Sequence, residues 1–62
     1  MKTVQNVVDN RETDDFVVVS FRDWTTSTLY DGRGKREDVP SPLADYAVER
    51  ITVENGVTVI EV

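Results

Sequence analysis

The sequence predicts a small β-rich α+β domain, two antiparallel β-hairpins bridged by a loop and a short helical segment. Three observations carry that expectation. Phe16-Val-Val-Val-Ser-Phe-Arg22 is a β-branched and aromatic run bounded by charge, as strands are. Asn55-Gly56 lies between two further β-rich runs and is the dipeptide that a two-residue type I′ turn favours. Ser41-Pro42-Leu-Ala-Asp-Tyr46 offers an N-cap followed by proline at the first helical position, where a missing N–H is harmless.

Taken in order, residues 1–15 are ambiguous. Val4, Val7 and Val8 have helical spacing with Thr3 as a cap, yet Val, Thr and Asn are mediocre helix formers, so a short strand is an equal alternative. Asp9 to Asp15 is polar and reads as a loop. Within 16–22, Val17, Val19 and Phe21 are assigned to the core, leaving Phe16, Val18, Ser20 and Arg22 on the other face. Asp23-Trp24-Thr25-Thr26 turns the chain into a second strand, Ser27 to Asp31, which ends at Gly32. Residues 32–40 form a loop, since Pro40 cannot belong to a central strand. One or two helical turns follow, with Leu43 and either Tyr46 or Ala47 directed inward.

The Asn55-Gly56 turn fixes a register. Glu54 opposes Val57, Val53 opposes Thr58, Thr52 opposes Val59, Ile51 opposes Ile60, and Arg50 opposes Glu61. An ion pair and an Ile–Ile pair both fall out of one alignment. One face then carries Ile51, Ile60, Val53, Thr58 and Val62. The other carries Val48, Thr52, Val57 and Val59 with the charged residues, and is apolar enough to need a cover from the N-terminal segment or another subunit.

At 62 residues the chain is a single domain, 1–62, that buries only about 60% of its unfolded surface. It has no Cys and no His, which removes disulfides, thiolate chemistry, imidazole bases and the usual zinc ligand sets. No apolar run approaches the ~18 residues of a membrane span, and the N-terminus has no signal-peptide core. A cytoplasmic protein is expected. Seven basic residues against 12 acidic ones give a net charge of −5. Bare nucleic acid and anionic membranes should repel such a chain, and a basic protein surface should attract it.

The acidic segment Asp9, Glu12, Asp14 and Asp15 lacks the glycine and the ligand spacing of a calcium loop, so no metal is expected there. It reads as a solvated guard for the edge of the next strand, or as a face for a basic partner. Arg33, Lys35 and Arg36, set around Gly32 and Gly34, are a candidate phosphate contact. The loop is not a Walker motif, and Glu37 and Asp38 neutralise much of its field. Outside these three cations the chain stands at −8. Phe16, Trp24, Tyr30 and Tyr46 are expected in the core, Trp24 least so because it adjoins a turn. Exposed, Trp24 and Tyr30 would serve as interface anchors. Acid–base chemistry would fall to carboxylates, Lys or Tyr in a chain too small for a pocket that tunes them. Asp14-Asp15 and Glu37-Asp38 are adjacent and point to opposite sides when extended. No enzyme and no cofactor are therefore expected.

In size, acidity, lack of Cys and His, and the β-rich segments 16–22 and 48–62, the chain resembles small acidic accessory proteins of bacteriophages and mobile elements. These include anti-CRISPR proteins and other DNA-mimic inhibitors. The resemblance implies a non-catalytic inhibitor that binds a host CRISPR-Cas or other nucleic-acid-processing complex, acting in the host cytoplasm, as a monomer or homodimer. The resemblance carries over no contact residues; from the charge balance of this chain, Asp9, Glu12, Asp14, Asp15, Asp23, Asp31, Glu37, Asp38 and Asp45 are the carboxylates expected to meet Lys and Arg on a partner. Two alternatives stand beside it: a nucleic-acid-binding module using Arg33, Lys35 and Arg36, and an assembly protein whose hairpin edges pair with copies of itself.

Overall fold

The computed structural model describes residues 1–34 and 39–62. Its first element settles the ambiguous N-terminal segment as a helix. α1, Val4–Asp9, begins at a capping box: the Asn6 N–H donates to Thr3 Oγ1 and the Thr3 N–H donates to Asn6 Oδ1, both at 3.2 Å. Six residues are too few to hold a helix in water. Burial of Val4, Val7 and Val8 on one side supplies the rest. Arg11 closes the far end, where its Nη1 donates to the Val8 carbonyl at 2.6 Å and its guanidinium lies 5.2 Å from the centre of the Phe16 ring.

Two hairpins follow. β1 (Asp15–Arg22) and β2 (Thr25–Asp31) form the first, β3 (Arg50–Glu54) and β4 (Val57–Glu61) the second. The first turn is shorter than the sequence suggests. Asp23 and Trp24 alone make it, at φ 51° and 64°, so β2 starts at Thr25 instead of Ser27. The second turn is as expected, with Asn55 and Gly56 at φ 51° and 77°. Its register holds pair for pair from Glu54–Val57 to Arg50–Glu61, and Arg50 Nε lies 3.7 Å from Glu61 Oε2.

The hairpins join through a pairing the sequence does not announce. β1 and β4 run parallel, giving one four-stranded sheet in the order β2-β1-β4-β3. The described part of the connection from β2 to β3, residues 32–34 and 39–49, packs over one face and carries a 3₁₀ turn, Leu43–Asp45, just after a cis Ser41-Pro42 bond. Ser41 does not cap that turn; Pro42 occupies the cap position and no side chain bonds there. The N-terminus is tied to this connection. Thr3 bridges Ala47, the Val4 N–H donates to the Tyr46 carbonyl, and the Val48 N–H donates to the Lys2 carbonyl, both at 3.0 Å.

The core lies between the sheet and this layer. It consists of Val4, Val7, Val8, Phe16, Val18, Val39 and Ile60, with Tyr30, Leu43 and Val48 packed at its margin. This reverses the face expected for β1: Phe16 and Val18 are fully buried, and Val17, Val19 and Phe21 share the opposite side. Helix length explains the choice. A six-residue α1 spans about 9 Å, enough to roof Phe16, Val18 and Ile60 but not to reach Phe21 near the far end of the strand. Val48, expected beside Val57 and Val59, also belongs to the core side. Tyr46 and Ala47, candidates for inward packing, stay exposed. Gly32 shows how closely the core is filled. Its N–H donates to the Phe16 carbonyl at 2.9 Å, and a Cβ there would meet the Phe16 ring at 2.5 Å.

Candidate interaction surface

With α1 and residues 39–48 on one side, the other face of the sheet has no second layer among the described residues. Along β1 it presents Asp15, Val17, Val19 and Phe21, and along β4 it presents Val57, Val59 and Glu61. Strand register adds Thr26, Thr28 and Asp31 from β2, and Arg50, Thr52 and Glu54 from β3. The valines are half-buried by their neighbours. A shallow hollow of about 430 Å³ opens among Val19, Phe21, Thr26, Arg50 and Val59. The face is thus an apolar band with carboxylates at its borders.

The first hairpin's tip projects from one end of this face. Phe21 is half-exposed, and Trp24 is 93% exposed. Their rings meet edge to face, with centroids 6.4 Å apart and planes at 89°. Trp24 is bulky and holds φ 64°, a region where glycine or asparagine is the favourable choice. The Asp23 carboxylate stands beside it on the same turn.

The expected anchors therefore separate. Trp24 is exposed, whereas Tyr30 is half-buried at the core's margin, its ring set against Phe16 at 5.8 Å and 74°. The expected acidic contacts also separate. Asp15 and Asp31 lie at the end of the sheet away from the tip, Asp23 at the tip, Asp45 in the 3₁₀ turn, and Asp9 at the end of α1. Asp9 accepts from Gln5 Nε2 at 2.8 Å, and Asp15 accepts from the Gly34 N–H at 3.0 Å. Glu12 and Asp14 occupy the exposed loop between α1 and β1. Among the described residues these carboxylates do not form a single phosphate-like row. Among the described residues, Asp9, Glu12, Asp14, Asp23, Asp45, Glu49 and Glu54 have no cation within ion-pairing distance. Nor do three acidic groups gather as a metal site among them.

Of the phosphate-contact candidates, Lys35 and Arg36 lie outside the described residues, as do Glu37 and Asp38. Arg33 is engaged. It grips Asp31 through Nε and Nη2 at 3.0 and 2.6 Å, and its backbone N–H donates to the same carboxylate. The Asp31 hydrogen bonds, then its charge, raise the Arg33 pKa above the usual value. A phosphate would have to displace that partner.

Sequence reasoning missed Phe21 as a surface residue and the open Val17–Val19–Val57–Val59 band. A signal was available. β1 is apolar on both sides, and a chain with one short helix can roof only one of them.

Comparison with family models, with curated proteins and with solved structures finds no match for this chain.

Proposed function

We propose that this chain is a non-catalytic acidic binding protein that covers a basic, nucleic-acid-binding surface of a partner protein in the cytoplasm. Its mode of action is that of the phage-type, anti-CRISPR-like inhibitors its composition resembles. The observation that carries the reading is Trp24. A large aromatic held at a positive φ on a solvent-exposed turn is unfavourable for folding, and such placements cluster where contact requires them. Trp is also the side chain most enriched among residues that dominate binding energy. Asp23 stands beside it, and the carboxylates dispersed over the rest of the molecule supply long-range steering toward Lys and Arg. The anchor would be the Phe21–Trp24 tip, with the open face behind it covering additional area.

The test is affinity capture from the native host's lysate, followed by competition with nucleic acid for the captured protein. The wild-type chain should retain a nucleic-acid-binding protein, release it as salt rises, and displace its nucleic acid. Trp24→Gly should lose most of that retention. Capture indifferent to both salt and Trp24→Gly would overturn the reading.

A further inference from the structure

β3 is an outer strand of the sheet, and every one of its residues is exposed. It has no proline, no lysine and no register shift in its ladder with β4, and its two charges, Arg50 and Glu54, stand only at its ends. The opposite edge is different, because β2 is bulged, Leu29 being skipped between the Val18–Tyr30 and Val19–Thr28 pairs. Ile51 and Val53, 40% and 54% exposed, lie on the α1 side of β3, just beyond the roof that covers Ile60.

The main chain of β3 divides in a defined way. A two-residue turn closes on a bond from the Val57 N–H to the Glu54 carbonyl, so Glu54, Thr52 and Arg50 direct their backbone groups to β4. Ile51 and Val53 direct theirs outward. Four unpaired groups therefore line the edge at the spacing of an antiparallel ladder.

We propose that this edge pairs with β3 of a second copy, in one register. The segment Arg50-Ile-Thr-Val-Glu54 is self-complementary about Thr52. Aligned antiparallel on a two-fold axis through Thr52, Ile51 of one copy exchanges two hydrogen bonds with Val53 of the other, and the reverse pair does the same. Arg50 of each copy then stands opposite Glu54 of the other, on the same face as a Thr52–Thr52 contact. All three pair types favour cross-strand association. A shift by two residues would break both charge pairs, and a shift by one would send Ile51 and Val53 to the wrong face. The result is a continuous sheet of two copies, in which the half-exposed Ile51 and Val53 extend the apolar layer. Glu54, without a cation in a single copy, gains one. The occupant is a second copy because its strand supplies the charge order, the apolar pair and the hydrogen-bond spacing together. This inference is independent of what the Trp24 tip binds.

The test is solution mass by analytical ultracentrifugation at physiological ionic strength, where the −5 charge of each copy is largely screened. The wild-type chain should move from 7.0 kDa toward twice that mass as concentration rises. Glu54→Arg and Arg50→Glu each place like charges across both ends of the ladder and should weaken association at least about tenfold. An equimolar mixture of the two variants restores both opposite-charge pairs and should recover the dimer. Amide exchange gives a check without mutation: the Ile51 and Val53 N–H groups should become protected with concentration. A wild-type chain that stays monomeric, variants that dimerise like the wild type, a mixture that fails to recover, or edge amides with concentration-independent exchange would each overturn the proposal.

Discussion

Thr13 and Thr58 show at the scale of single residues how direction within a hydrogen bond sets its worth. Their hydroxyl oxygens are 2.6 Å apart, and Thr13 Oγ1 also lies 2.7 Å from the Asp15 carbonyl. Thr13 has one proton and gives it to that carbonyl, so Thr58 must be the donor to Thr13. Thr58 is 2% exposed and has no water to turn to, while Thr13 is only half-buried. The two truncations are therefore unequal. Thr13→Ala orphans a buried hydroxyl and should cost about 1–2 kcal/mol. Thr58→Val removes the buried hydroxyl itself and should stay within about 0.5 kcal/mol of the wild type. Chemical denaturation of the two variants checks the order, and equal losses would contradict the assignment of donor and acceptor.

At the scale of elements, the two turns make the clearest comparison. Both hold two residues at positive φ, yet one is Asn55-Gly56 and the other Asp23-Trp24. A left-handed conformation costs a non-glycine residue about 1–2 kcal/mol. Trp24→Gly should therefore raise the melting temperature by about 4 °C, allowing for the lost Phe21 contact and the entropy of glycine. A fall in melting temperature would mean that the Trp24–Phe21 pair, not the backbone, dominates the turn. The same comparison explains what could be read from the sequence. Asn-Gly announces its turn because its chemistry matches the geometry, and the whole β3–β4 register follows from it. Asp-Trp does not, so the sequence predicts a longer first turn and a shorter β2 than the structure has. The parallel β1–β4 pairing was hidden for another reason, since it depends on residues far apart with no turn to fix them. The core face of β1 was hidden because Phe16-Val-Val-Val is apolar on both sides, leaving the choice to the reach of α1. The candidate surface was illegible for the same reason: Phe21 becomes a surface residue only once Phe16 has been buried.

Across the whole molecule, one imbalance governs two salt responses of opposite sign. Twelve carboxylates and seven cations share a body whose longest extent is 31 Å. The Debye length is about 30 Å at 0.01 M salt and falls to about 3 Å at 1 M. At low salt, then, nearly every charge feels every other, the carboxylates outnumber the cations, and among the described residues the close pairs are Arg33–Asp31 and Arg50–Glu61. Those pairs are largely exposed and worth little each. Screening should therefore stabilise the fold, and the melting temperature should rise by a few degrees between 10 and 500 mM salt, figures set by the screening scale. Association with a basic partner should run the other way, because screening removes the attraction that speeds encounter, and its on-rate should fall at least about tenfold over that range. Stability and binding measured on one salt series separate the two effects. A melting temperature that falls with salt would mean that local pairs outweigh the net repulsion. An on-rate that holds steady would mean that the carboxylates do not steer the encounter, leaving the Phe21–Trp24 tip to act alone.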